Sequence, residues 1–468
     1  MPAMLLAFLT ACGGPELKPW HTERLTSEFD SSKVEEVRTF DDYRKLEDAL
    51  FDELRAKVYS EVETGPEYTL VRYSAGSAAD PLVRQPNWNY SFEIPTEDPA
   101  GAVLLLHGMS DSPYTYRALG TALAENGYWV IGLRLPGHGT APSGLRRVTW
   151  QDMAAAVDLA VDHLVSKVDD RSIHIVGYST GAALALNFTL DALDGDNAPV
   201  PASLVLISPA IGVHSATALA SWTDRVSRVP GLAGLSWAQI QPEFDPYKYN
   251  SFAMNGGSQV HDVTRAVARR IRERSESGSI GKFPPILVFK STVDATVTNE
   301  ALVSRLLGRL PANRNELVLF DINRSAIRSR IMIDDPGPFT ARLMDDAALP
   351  FAIELITNES PKSETVISRR KPPYSSDVAT DNALDMAWPP GVISLSHVAL
   401  PFPPDDPLYG RGPPSSDEVL FLGQMAIQGE RGLLTIPADW MLRLRHNPFY
   451  ALLESRTIRW FDELESKQ

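Results

Sequence analysis

The chain has 468 residues, 44% hydrophobic and 22% charged, with 36 Pro, 30 Gly and one Cys. That length suits one large α/β domain with additions, the apolar share excludes wholesale disorder, and a single cysteine excludes a disulfide framework or a Cys-rich metal site. A formal charge of -15 opposes binding along a phosphate backbone, so nucleic acid is not an expected partner, and no run of 18 apolar residues exists to cross a bilayer.

Met4-Leu5-Leu6-Ala7-Phe8-Leu9-Thr10-Ala11-Cys12 is an apolar run that ends in a small residue and then cysteine. It resembles a bacterial lipoprotein signal, with Leu9-Thr10-Ala11-Cys12 as the lipobox. The resemblance implies cleavage before Cys12, acylation at that residue and anchorage in the bacterial cell envelope. Gly13 is compatible with outer-membrane sorting in a Gram-negative cell. The segment is shorter than a usual signal and has no Lys or Arg before its apolar part. The alternative is a frayed terminus on a cytoplasmic protein.

After this 1–12 signal segment, residues 13–35 are polar and Pro-punctuated, a tether. In the 36–66 unit, Phe40, Tyr43, Leu46, Leu50, Leu54 and Val58 recur at three- and four-residue steps, which predicts an amphipathic helix. Tyr68–Tyr73 and Ser91–Ile94 read as strands. Val103–Leu106, Trp129–Leu133, Ile173–Val176, Leu204–Ile207 and Ile286–Phe289 are apolar runs too short for buried helices. Between them, Met153, Ala156, Val157, Ala160, Val161, Leu164 and Val168 share one helical face, with Thr149 as N-cap. Strands alternating with such helices predict βαβ units and a mostly parallel sheet covered on both faces.

Two segments break the alternation. Residues 212–282 carry Trp222, Leu232, Leu235, Trp237, Phe244, Tyr247, Tyr249 and Phe252 without strand signals, and read as a helical cap or as an insertion with its own small core. Residues 324–390 read as a second insertion with one strand, Phe351–Ile356. The expected core is therefore 67–211 and 283–323, completed by 391–468, which ends in a helical tail.

Ile173-His174-Ile175-Val176-Gly177-Tyr178-Ser179-Thr180-Gly181, followed by Ala182–Leu186, reads as strand, G-x-S-x-G, then helix. A nucleophile on so sharp a reversal needs neighbours without bulk, which Gly177 and Gly181 supply. The turn would expose the Ser179 hydroxyl at a helix N-terminus, where amides favour developing negative charge.

A serine hydroxyl needs a base, and the base an orienting carboxylate. Behind this motif the chain order is Ser, acid, His. Asp294 follows the strand run Ile286–Phe289, at a position that a simple turn aspartate also fits. Three histidines lie beyond residue 250. His261 precedes Asp294, His446 lies on the helical tail beside Arg443 and Arg445, where it reads as solvated, and His397 closes Val392-Ile393-Ser394-Leu395-Ser396, read as a strand. His397 is therefore the expected base. Val103–Leu106 delivers His107-Gly108-Met109 into a loop, so the backbone N–H groups of Met109 and Thr180 are the expected oxyanion donors. His107 itself is expected to brace that loop.

Taken with Leu133-Arg134-Leu135-Pro136-Gly137-His138-Gly139-Thr140, this set resembles the α/β-hydrolase superfamily, in the branch of monoglyceride lipases, lysophospholipases and serine-aminopeptidase-like proteins. The match runs over about residues 100–300 and resumes near 391. It implies an α/β-hydrolase fold and a Pro-Gly-His-Gly loop that shapes the site; the helical cap and the 324–390 insertion before the His strand are read from the chain itself, and the long spacing between Asp294 and His397 departs from the short connection usual in that family. The expected activity is hydrolysis of hydrophobic carboxylic esters through an acyl-enzyme, without cofactor or metal. There is no Walker loop and no H-E-x-x-H. One alternative is a serine aminopeptidase-like enzyme, with Glu243 and Asp245 available for a substrate ammonium. A second is a non-catalytic envelope lipoprotein that uses the fold for binding.

Overall fold

The computed structural model describes residues 16–466 except 196–198, 213–235, 295–296, 313, 328–334, 382–383, 413–419 and 424–442. Cys12 and the 1–12 segment lie outside these residues, as do Trp222, Leu232 and Leu235 of the expected cap.

In chain order the strands are β1 (Phe92–Ile94), β2 (Gly101–Leu106), β3 (Tyr128–Leu133), β4 (Ile173–Tyr178), β5 (Ser203–Ile207), β6 (Trp237–Gln239), β7 (Phe252–Ala253), β8 (Ile286–Ser291) and β9 (Glu316–Phe320). β10 (Ala352–Asn358), β11 (Val366–Lys371) and β12 (Ala379–Asp381) follow. All but β6 and β7 belong to one sheet, ordered β1-β3-β2-β4-β5-β8-β9-β10-β11-β12. Pairing is parallel from β3 across to β10 and antiparallel at both ends. The five apolar runs form its middle. Every residue of β2, β4 and β8 is buried, as continuous apolar strands covered on two faces require.

Alternation along those strands divides the core. Leu104, Leu106 and Ile175 enter one apolar cluster; Val103, Leu105 and Val176 enter the other. Helices α1 (Phe40–Lys57), α3 (Trp150–Val168) and α4 (Thr180–Asp194) supply the first cluster. So does α5 (Met254–Ser277). Helices α2 (Arg117–Glu125) and α8 (Tyr450–Glu465) cover the second, through Leu119, Leu123, Trp460 and Phe461. Two shorter helices are α6 (Asn299–Arg305) and α7 (Gly337–Asp345). α3 begins as its sequence predicts: the Thr149 side chain accepts from the Asp152 N–H, and Asp152 accepts in return from the Thr149 N–H at 2.8 Å.

Four expectations are corrected. Residues 68–73 are turns, not a strand. Arg72 points inward and donates to the carbonyls of Gly139, Asp245 and Lys248 at 3.0–3.1 Å, while the Tyr73 hydroxyl donates to Thr140 O at 2.9 Å. These long-range bonds replace a strand ladder. The 324–390 segment does not stand apart from the core, because β10 pairs parallel with β9, and β11 and β12 extend the same sheet edge.

The third correction follows from the second. With the edge beside β9 occupied by β10, no strand forms over 391–396, and there is no His strand. His397 instead opens a 3-10 turn, His397–Ala399. The chain before it is held by Asn323, whose backbone N–H donates to Ile393 O at 2.7 Å and whose Nδ2 donates to Val392 O at 2.9 Å. His446, expected on a solvated tail, is buried, with Nδ1 at 3.2 Å from Tyr409 O.

Candidate active site

Ser179 stands between β4 and α4 with φ 53 and ψ -112. A non-glycine residue rarely adopts that conformation, which costs on the order of 1–3 kcal/mol and persists only where neighbours enforce it. A Cβ on Gly177 would meet Ala182 Cα at 2.5 Å, and one on Gly181 would meet Leu106 O at 2.0 Å. Both obstructions are backbone, so neither can swing aside. Ser179 is held from two sides: its N–H donates to Ile207 O at 3.0 Å and its carbonyl accepts from Ala210 N–H at 3.1 Å. The residue is partly exposed and lines a cavity of about 640 Å³.

Asp294 lies just past β8. Its Oδ2 accepts from Lys290 Nζ at 2.6 Å and from His397 Nδ1 at 2.9 Å, and its Oδ1 accepts from Val297 N–H at 3.2 Å. Burial pushes this carboxyl up, but the hydrogen bonds and charges of His397 and Lys290 outweigh it and hold the group well below the usual carboxylate range. An ionised acceptor on Nδ1 fixes the tautomer of His397, so the Nε2 lone pair of the neutral ring faces away from Asp294. The Tyr178 hydroxyl donates to His397 O at 3.4 Å, with the two rings 5.2 Å apart. Tyr178, Ser179 and His397 all line the same cavity.

Met109 and Thr180 line that cavity as well. Among the described residues, neither backbone N–H has a hydrogen-bond acceptor. Thr180 is the first residue of α4, where amides lack intrahelical partners. His107 braces the loop: its Nε2 accepts from Leu135 N–H at 3.1 Å, so Nδ1 carries the proton and donates to Gly108 O at 2.9 Å. Burial pushes its imidazole far below the usual value. The Pro136–Gly139 loop is fixed from below by Arg134, buried between Glu47 at 2.8 Å and Glu28 at 3.0 Å.

The rest of the cavity mixes apolar and charged groups. Phe252, Val260, Val398 and Phe402 give it an apolar wall. Lys248 pairs with Asp111 at 2.7 Å and Arg445 with Asp245 at 3.6 Å. Both carboxylates weighed for a substrate ammonium are committed elsewhere. Glu243 is buried and accepts from the Ser251 and Asn250 N–H groups at 2.7 and 3.0 Å; burial raises it to about 7. Asp245 accepts from the Tyr409 hydroxyl at 2.7 Å and from the Tyr247 and Lys248 N–H groups. Of the expected cap aromatics, Trp237 and Tyr249 belong to the main core, and Phe244 and Tyr247 pack with Tyr114, Phe402 and Tyr409. Among the described residues no three His, Cys, Asp or Glu side chains converge as a metal site would require.

Sequence reasoning assigned nothing to Lys290, Lys248 or Asp111. Lys290 carried a signal: it is the one charged residue in an otherwise apolar strand run, four positions before Asp294.

The family model described as "Serine aminopeptidase, S33" matches residues 97–322. The thermostable monoacylglycerol lipase of a Bacillus strain is 37% identical over 84 residues, which is 18% of this chain and 33% of that protein. The chain thus matches about a third of the length of that curated relative. Among solved structures, the monoacylglycerol lipase of Paleococcus ferrophilus is 20% identical with TM-score 0.38, covering 50% of this chain and 88% of its own. A soluble variant of the Saccharomyces cerevisiae monoglyceride lipase is 19% identical with TM-score 0.37, covering 49% and 82%. The order of its parallel strands, the sharp turn at Ser179 and the family match over residues 97–322 give the chain an α/β-hydrolase fold.

Proposed function

We propose that the protein is a serine hydrolase that cleaves carboxylic esters of hydrophobic acyl groups through an acyl-enzyme. The observation that carries the proposal is the Asp294–His397 hydrogen bond at 2.9 Å on the cavity that Ser179 lines. In this mechanism His397 Nε2 takes the Ser179 proton as Oγ attacks the ester carbonyl. The tetrahedral oxyanion rests on the Met109 and Thr180 N–H groups, which need no reorganisation when charge develops. His397 then gives the proton to the leaving alcohol, water attacks the acyl-enzyme with His397 again as base, and the acid leaves. Asp294 holds the tautomer and stabilises the imidazolium.

The apolar wall of Phe252, Val260, Val398 and Phe402 supports an acyl chain as the group bound, and the monoacylglycerol lipase activity named for the Bacillus relative agrees with that choice. The aminopeptidase alternative is disfavoured because Glu243 and Asp245 already have their donors. A fluorophosphonate probe should label the protein and fail to label Ser179→Ala; absence of labelling on folded protein would favour the non-catalytic binder. A p-nitrophenyl ester series should run faster with longer chains than with acetate, and a strict acetate preference would remove the acyl-chain assignment.

Anchorage through an acylated Cys12 in the cell envelope is part of the same proposal, supported by the Leu9–Cys12 motif. Among the described residues no helix is long and apolar enough to cross a membrane. Mass spectrometry of the mature N-terminus tests the anchor, and an uncleaved, unmodified Met1 species would remove it.

A further inference from the structure

A second cavity, about 410 Å³, opens beside α5 and the chain around residues 305–309. Helix periodicity builds one wall: His261, Arg265, Arg269 and Arg272 recur at steps of four, four and three along α5 and so share a face. Arg305, the last residue of α6, and Arg309, in the 3-10 turn that follows, supply the rest of the charge. Among the described residues no Asp or Glu lines the cavity. Among the described residues, Arg265, Arg269 and Arg305 make no ion pair, and Arg272 reaches only Glu276, at 4.0 Å. Arg309 Nε donates to the Ser304 carbonyl at 3.0 Å.

The same helix treats its other arginines differently. Arg270 pairs with Asp191 and Asp194 of α4 at 2.6 and 2.5 Å, and Arg274 pairs with Asp194. The sequence continuing from Gly212, on the cavity wall, does not carry the missing charge. Residues 213–235 hold one acid, Asp224, against Arg225 and Arg228. Five guanidinium groups around one space repel one another, although the chain as a whole carries -15. The planar fork of each matches an oxyanion, and so much positive charge suits a multiply charged phosphate better than a single carboxylate.

We infer that this cleft binds a phosphate group, carried either by a soluble phosphate ester or by the head groups of an anionic lipid. It lies beside the Ser179 cavity along α5: Gly257 and Val260 line that cavity, and His261 and Thr264, one turn further on, line this one. The chemistry of the cleft is independent of the hydrolytic proposal.

The test titrates the full chain with inorganic phosphate and, separately, with mixed phosphatidylcholine–phosphatidylglycerol vesicles, pure phosphatidylcholine being the control. The variant Arg265→Gln/Arg269→Gln/Arg305→Gln should weaken binding by about a hundredfold, if each residue contributes what a basic group contributes at an anionic surface. Arg270→Gln, whose charge is already paired, should bind like the parent. Hydrolysis of a soluble short-chain ester should be the same in all three proteins. Saturable phosphate binding lost in the triple variant assigns a soluble ligand; vesicle binding lost there, without phosphate saturation, assigns the lipid surface. Binding that is equal in parent and triple variant, or absent for both probes, overturns the site.

Discussion

Lys290 Nζ lies 2.6 Å from Asp294 Oδ2, and neither side chain is exposed to solvent. A cation and an anion buried together lose their hydration, and only their mutual attraction and further hydrogen bonds compensate. Here the same carboxylate oxygen also accepts from His397, so one atom joins the strand interior to the candidate base.

Removing the cation alone should therefore be expensive. Lys290→Met should destabilise the protein by about 3–5 kcal/mol, because it leaves a buried carboxylate with one ionic partner fewer. Adding Asp294→Asn should recover much of that loss. Urea unfolding of both variants checks this; a single variant within 1 kcal/mol of the parent would contradict it. The contribution of the Asp294 carboxylate is complete above its ordinary value of 3.8 and is lost as pH falls below it, since the folded-state value is depressed.

For the chemistry, Asp294→Asn keeps the shape and loses the charge that selects the His397 tautomer. A fall in kcat of about 10⁴ is expected, by comparison with the same change in other triads. Steady-state kinetics on a p-nitrophenyl ester would show it, and a loss of less than tenfold would remove Asp294 from the mechanism.

Gly181→Ala drives a methyl group into the Leu106 carbonyl, and that strand cannot retreat without breaking its pairing on both sides. The substitution should cost roughly 1–3 kcal/mol of overpacking, or more, and displace Ser179. Gly281→Ala, where a Cβ meets nothing within 4 Å, is the control and should be nearly neutral. Thermal unfolding read beside fluorophosphonate labelling distinguishes the two.

Acid should unfold the protein earlier than its carboxylates alone require. Burial lowers the His138 and His21 imidazoles from 6.5 to about 4, so the unfolded chain binds these protons more tightly. Their contribution to stability is complete above pH 6.5 and is lost as pH falls through about 4. For fully buried His138 the loss at pH 4 is on the order of 3 kcal/mol. His138→Phe should flatten the stability–pH curve across that window, and an unchanged slope would show that another group sets it.

The middle of the sheet was legible because a strand buried on two faces is apolar along its run, as Val103–Leu106 and Ile286–Phe289 are. The turn at Ser179 was legible for a related reason: two backbone approaches admit only glycine, and they fall at fixed offsets from the serine. Other features depend on contacts far along the chain. Ser394 and Leu395 alternate as a strand does, but the edge where they would pair belongs to β10. Residues 68–73 hold β-forming side chains whose partners lie some 70 and 170 positions away. Lys290 was assigned nothing because its partner, Asp294, was read for its own role and not for the charge it would need beside it.

Asn323 fastens the loop ahead of His397 to the end of β9, beyond which β10, β11 and β12 complete the sheet. The imidazole is thus delivered by a detour of 103 positions that includes the whole sheet edge. Ser179 and Asp294 stand at the ends of β4 and β8, inside the sheet, whereas the place of the ring depends on the strands at its margin. On the mechanism proposed, a protease cut, truncation or destabilising change along that margin should leave a body with its hydroxyl in position and nothing to deprotonate it.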